Sequence, residues 1–207
     1  MDRSDIKELY FITPIENISS ILRYGILSHN KIKALAISHK SIADDEVQKL
    51  RAKKVIPGGK GKLHDYVNLY FNPRNAMMFK RKDGHSQNCV LGINAAILDE
   101  PSIIITDGNA AANDVYVGFF PPSPGLQRLD KKMVFARSWW SQNPYEMCRR
   151  RSAVCAEVLV RDQLAVSNMT CVYASCEESR DKVKSSLITN KINLPVMVNG
   201  KMFFQEA

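Results

Sequence analysis

Metal-ligand and disulfide spacings are both missing from this sequence. The five cysteines (Cys89, Cys148, Cys155, Cys171 and Cys176) are odd in number, and no two stand in a CxxC pair. They read as reduced thiols in a reducing compartment, not as a disulfide frame or a zinc site. The four histidines, His29, His39, His64 and His85, are scattered without HExxH-like spacing, so no metal is expected. No apolar run approaches the length a bilayer span requires. The start, MDRSDIKELY, lacks the apolar core of a secretory signal, and the expectation is a cytoplasmic protein. PGGKGK at 57–62 lacks the GxxxxGK[ST] spacing of a phosphate loop and reads as a flexible basic linker. Internal repeats, heptad arrays and low-complexity tracts are absent as well.

Acidic residues are the scarcer charge, 21 against 29 lysines and arginines, which leaves a net charge of +8. Such a balance suits a polyanionic partner without saying whether it is nucleic acid, membrane or a phosphorylated cofactor. At 207 residues and 45% hydrophobic content the chain can bury a core, and one domain over 1–207 is expected.

What is present centres on 145–160, YEMCRRRSAVCAEVLV. Residues 153–160 have the composition of a buried strand, interrupted by one carboxylate. A period of two puts Ala153, Cys155, Glu157 and Leu159 on one face, and Val154, Ala156, Val158 and Val160 on the other. An unpaired buried carboxylate is costly. Glu157 is therefore either paired with one of the neighbouring arginines or set in a cleft where it does chemistry. The segment alone leaves both open.

In chain order, 8–12 reads as a strand leading into a helix. Thr13, Pro14 and Glu16 resemble a capping box, Ile15, Ile18, Ile21 and Leu22 form its apolar stripe, and Gly25 ends it. A second helix is expected over 44–54, where Arg51, taken alone, is one base on a solvated face. In 63–79 a strand places Tyr66, Asn68 and Tyr70 on one face, opposite Val67, Leu69 and Phe71. The first set is a plausible stacking wall for a ring, although aromatic strand residues more often simply pack. Asn72 and Pro73 look like the cap and first residue of a short helix. Further strands are expected at 89–94, 102–106 and 170–175, a helix at 177–189, and a closing hairpin over 195–204 turning at Asn199-Gly200. Between them, 107–143 reads as a long irregular stretch carrying Tyr116, Phe119, Phe120, Trp139 and Trp140 among Arg128, Lys131, Lys132 and Arg137. Aromatics interleaved with bases suit single-stranded nucleic acid, unless the rings only anchor the loop.

The order of these pieces resembles the ADP-ribosyltransferase fold. Four blocks are similar to the DarT family of DNA ADP-ribosyltransferase toxins: YFITPIENISSILRYGILS (10–28), Arg51 in VQKLRAKKV, HDYVNLYFNPRNAMM (64–78) and AEVLV (156–160). The resemblance implies an α+β domain with a split antiparallel β-sheet core and flanking helices. It also implies an enzyme that moves ADP-ribose from NAD onto a base of single-stranded DNA and releases nicotinamide, without a metal. By the same similarity Phe11, Ile12, Thr13, Ser20, Leu27, Arg51 and Tyr70 would bind NAD, with Glu157 and Arg51 catalytic. Residues 35–62 would cover the cofactor and 107–157 would receive DNA. DNA contacts are expected from Arg74, Tyr116, Trp139, Trp140, Arg149, Arg150 and Arg151. The family's usual partner is an antitoxin with a macrodomain that removes the modification.

The chemistry suits these residues. A carboxylate beside the ribose stabilises the positive charge that develops as nicotinamide leaves, and it can take the proton of the attacking ring nitrogen or amine. One departure stands out. The family's first-strand motif, Tyr-His-Ile-Thr, often with a further His, holds Phe11 and Pro14 at the histidine places here. Guanine and thymine are both family targets, and the VNLYF wording leans towards guanine. The rival expectations are an ADP-ribosyltransferase acting on protein or RNA, and a non-catalytic single-stranded nucleic acid binder, which would leave Glu157 unexplained.

Overall fold

A computed structural model describes residues 1–205; the last two residues of the expected 1–207 domain lie outside them. The strands are β1 (Glu8–Pro14), β2 (Ile26–Leu27), β3 (Tyr66–Tyr70), β4 (Asn88–Asn94), β5 (Ile104–Thr106), β6 (Phe119–Phe120), β7 (Glu157–Arg161), β8 (Gln163–Leu164), β9 (Met169–Ala174) and β10 (Val196–Val198). The helices are α1 (Ile18–Tyr24), α2 (His29–Ala34), α3 (Asp45–Lys53), α4 (Ala76–Lys80), α5 (Pro122–Arg128), α6 (Lys131–Val134), α7 (Pro144–Ala153) and α8 (Glu177–Thr189). Eight strands form one sheet in the order β10-β9-β4-β1-β3-β7-β5-β6, and β2 pairs with β8 separately. All neighbours in the large sheet are antiparallel except β10 and β9. The expected α+β fold is borne out.

The sheet is also split, and the split positions the site. β1 runs beside β4 over seven register pairs, and β3 beside β7 over five. Between β1 and β3 the register holds at Tyr10–Tyr70 alone. Beyond that point the two strands part, leaving 11–14 of β1 and 66–69 of β3 to face a cleft. The period of two survives on both sides of it. Val67, Leu69 and Phe71 join Leu9, Leu91, Val158 and Val160 in the main core under α1 and α8, while Tyr66 and Tyr70 face the other way. Each fully buried aliphatic contributes about 1.5–3 kcal/mol. That burial is what makes a seven-residue helix such as α1 stable, since so short a helix is marginal alone. Gly25 closes α1 at φ 78°, where a Cβ would sit 2.5 Å from the Leu164 carbonyl oxygen.

Several sequence expectations are corrected. The strand expected over 153–160 starts only at Glu157, after a helix that runs to Ala153. Asn143 caps α7 by accepting from the Tyr145 and Glu146 amides, with Pro144 in the first turn, and these local signals outweigh the apolar composition. The Thr13–Glu16 capping box does not form, because 15–17 is a 3₁₀ turn and α1 starts at Ile18. Asn75, not Asn72, caps the short helix, accepting from the Met77 and Met78 amides. The 107–143 stretch holds β6, α5 and α6, so it is not structureless. The hairpin expected over 195–204 does not form: β10 pairs parallel with β9, and a 3₁₀ turn over Gly200–Phe203 inserts Phe203 against Ile12, Tyr70, Met78 and Val90. The helices at 45–53 and 177–189 stand where expected. No helix among the described residues is long and apolar enough to cross a membrane.

Candidate active site

A cavity of about 430 Å³ occupies the cleft between the parted strands. All seven residues assigned to NAD line it: Phe11, Ile12 and Thr13 from β1, Ser20 from α1, Leu27 from β2, Arg51 from α3 and Tyr70 from β3. A strap over 37–44 forms another wall. Asn17 pins it at one side, donating from Nδ2 to the Lys40 carbonyl and accepting the Lys40 amide on Oδ1, both at 2.9 Å. The same Nδ2 reaches Thr13 Oγ1 at 3.2 Å. Arg81 pins the other side, donating from Nε to the Ile42 carbonyl at 2.9 Å.

Glu157 lies under the cavity floor, only 1% exposed. Register explains its place, since it opens β7 directly opposite Tyr70. Arg51 covers it. Nη1 donates to Oε1 at 3.1 Å and to Oε2 at 3.0 Å. Arg51 is itself buried, and its Nη2 has no hydrogen-bond partner among the described residues. The Ala110 amide gives Glu157 Oε1 a further bond at 3.0 Å. Thr106 fixes the backbone below: its Oγ1 accepts the Glu157 amide at 3.1 Å and donates to the Gly108 carbonyl at 2.7 Å. The expected pairing with one of the neighbouring arginines 149–151 does not form. Glu157 is paired with an arginine, but the arginine is Arg51 from α3 and that guanidinium lines the cavity. The solvated-face reading of Arg51 is overturned, because α3 packs this side chain into the floor.

Three residues that the sequence reading passed over gather at another part of the wall. The His29 and His64 rings stack with centroids 4.1 Å apart and planes 28° apart, and His39 meets His29 edge-on at 6.3 Å. His64 Nε2 lies 2.8 Å from Gln48 Oε1. Burial, with His29 and Arg51 nearby, lowers the His64 pKa to about 4, and burial likewise lowers His29. Burial pushes the Tyr70 phenol up and the Cys155 thiol up to about 11, so both stay protonated at neutral pH. Among the described residues no group of three or more His, Cys, Asp or Glu is placed to hold a metal ion.

The residues expected to touch DNA divide. Arg151 lines the cavity mouth and pairs with Asp114 at 3.2 Å. Arg150 turns back to Glu146 at 2.7 Å within α7, whereas Arg149 is exposed. Tyr116 is 93% exposed and Trp140 65%. Arg74 and Trp139 are committed to packing. Arg74 stacks over Phe204 at 4.0 Å and donates to the Lys201 carbonyl at 2.8 Å, while Trp139 meets Phe79 and Phe204 edge-on.

A family model described as "ssDNA thymidine ADP-ribosyltransferase, DarT" matches residues 10–204. A DNA ADP-ribosyl transferase of Thermus aquaticus is 32% identical over 165 residues, covering 74% of this chain and 68% of that protein. A DNA ADP-ribosyl transferase–DNA ADP-ribosyl glycohydrolase fusion protein of Thermosipho africanus is 28% identical over 205 residues. That match covers 96% of this chain, which spans only half the length of the fusion protein. The DarT of Thermus sp. 2.9, solved with ADP-ribosylated ssDNA and with NAD+, superposes with TM-scores of 0.82 and 0.78 at 24% and 22% identity. The two superpositions cover 96% of this chain and 97% and 98% of the Thermus chains, and they speak for the fold. Fold and family model together define the class, the ADP-ribosyltransferases. Within it, the chain belongs to the DarT family.

Proposed function

We propose that this protein transfers ADP-ribose from NAD to thymine in single-stranded DNA, with Glu157 and Arg51 as its catalytic residues. The observation that carries the reading is the Arg51–Glu157 pair, set at the floor of a cavity that gathers every residue assigned to the dinucleotide. In the reaction the bond from ribose C1′ to the nicotinamide nitrogen breaks and a bond from C1′ to a ring nitrogen of the base forms. Nicotinamide leaves with the bonding pair, and the base nitrogen loses its proton. Glu157 stabilises the charge developing on the sugar and accepts that proton. To reach the sugar it has to be uncovered, so Arg51 turns its guanidinium, whose Nη2 is already unpartnered, towards the substrate. The Ala110 amide and Thr106 hold the carboxylate and its backbone during that exchange.

Thymine is the base that the matching family description names, and the leaning towards guanine drawn from the VNLYF wording finds no further support. Residues 35–62 cover the dinucleotide, with the strap pinned by Asn17 and Arg81 as its working part. Residues 107–157 receive the strand through Arg149, Arg151, Tyr116 and Trp140, while Arg150, Arg74 and Trp139 support that surface from within. A macrodomain-type antitoxin is the proposed partner of a toxin acting in the cytoplasm, in line with the glycohydrolase fused to the Thermosipho relative.

Incubation with NAD and oligonucleotides, digestion to nucleosides and mass spectrometry test the reading directly. ADP-ribosylated thymidine from single-stranded DNA is the expected product, with duplex labelled far less and Glu157→Gln inactive. Modified guanosine would change the base. Labelling of RNA or protein alone would refute the substrate class.

A further inference from the structure

From the stacked His29 and His64 rings we infer an adenine-positioning subsite on a wall of the cavity other than the first strand. The inference rests on the NAD-binding reading above. Neither ring belongs to the first-strand motif, where this chain has Phe11 and Pro14. The two rings come from α2 and from the 3₁₀ turn before β3, yet they stack at 4.1 Å and both line the cavity. The 2.8 Å contact with Gln48 fixes the rotation of the His64 ring. Gln48 stands one turn before Arg51 on α3, so the helix that carries the catalytic arginine also sets this wall.

Position selects the ligand's end. Tyr70 faces Glu157 at one end of β3, and His64 lies beyond Tyr66 at the other. Four strand steps, about 13 Å, separate Tyr66 from Tyr70, a length of the order that divides the two halves of an extended dinucleotide. With the sugar that reacts held over Glu157, the far base is brought to the histidines. Both imidazoles are held neutral by burial, so the stack offers a flat, uncharged ring to a purine. His29 is the half-buried member and presents the reachable surface, while His64 backs it.

Base–aromatic stacking of this kind is worth about tenfold in affinity. In steady-state assays with a single-stranded acceptor, His29→Ala is expected to raise KM for NAD about tenfold and to leave kcat within about twofold. AMP, as a competitive inhibitor, weakens by the same factor, nicotinamide mononucleotide does not, and His29→Phe recovers most of the loss. On the unaltered protein, AMP protects His29 from diethylpyrocarbonate and nicotinamide mononucleotide leaves it reactive, as read by peptide mass spectrometry. This arm holds whether or not His29→Ala folds. Equal protection by both mononucleotides, or none by AMP, overturns the subsite, as does a KM that His29→Ala leaves unmoved. Wild-type protein that labels no DNA with NAD overturns the functional reading itself. Labelling that proceeds with His29 indifferent to AMP overturns only this inference.

Discussion

Glu157→Gln keeps the shape of the side chain and removes its charge, so it separates what the carboxylate does for the fold from what it does in the reaction. The glutamine oxygen can still accept the Ala110 amide, but its NH2 then faces the Arg51 Nη1 donor across about 3 Å. Arg51 keeps one neutral acceptor and loses its counter-ion. Coulomb attraction between unit charges about 4 Å apart is worth about 4 kcal/mol at an effective dielectric near 20. Losing one partner of a buried pair costs roughly 3–5 kcal/mol in measured cases. With a urea m-value of about 2 kcal/mol/M, the unfolding midpoint falls by roughly 1.5–2.5 M. Arg51→Met leaves the carboxylate unpaired and loses a similar amount. The double variant Arg51→Met/Glu157→Gln buries no charge and is expected to regain more than half of the stability lost by either single change. All three are expected to be inactive on NAD and DNA. Stability losses that simply add in the double variant would refute the claim that these two charges are coupled in the floor of the cavity.

Thr106→Val removes the acceptor of the buried Glu157 amide and is expected to cost about 1–3 kcal/mol, lowering kcat more than it raises KM in the oligonucleotide assay. His64 gives a pH signature whose sign follows from burial. The unfolded chain takes up a proton near the ordinary 6.5 and the folded protein only near 4, so stability is full above about pH 6.5 and falls as pH drops towards 4. The loss amounts to up to about 3 kcal/mol. Tm followed from pH 7 to 4.5 reads it, and His64→Gln flattens the profile. Binding of single-stranded DNA weakens steeply with salt, and Arg149→Ala reduces the log–log slope by about one unit of charge if that exposed arginine meets a phosphate.

The sequence made Glu157 visible because a single acid in an apolar run demands an explanation. It made the faces of β3 visible because a period of two is a local property. α8 was legible to the residue, with Glu177 and Glu178 in its first turn. What stayed hidden depends on distant partners. Arg51 looks solvated in VQKLRAKKV, and its burial comes from a carboxylate 106 positions away. The histidine stack joins α2 to the turn before β3, and no spacing rule connects 29 with 64. The hairpin expected from Asn199-Gly200 failed for a related reason. The free edge of β9 offers 196–198 a parallel partner, and Phe203 gains a buried seat that a hairpin would deny it. At 153–156 the end of α7 and the turn after it displace the expected strand, which begins only at Glu157.

The clasp between Asn17 and Lys40 uses only main-chain groups of residue 40. Any amino acid except proline can supply them, and the side chain of Lys40 adds only a solvent-exposed ion pair with Glu16. Most of 35–43 is then free to be rewritten, provided the amide at 17 and the guanidinium at 81 remain. Swapping this stretch between relatives would thus retune what the enclosed chamber admits without rebuilding its hinges.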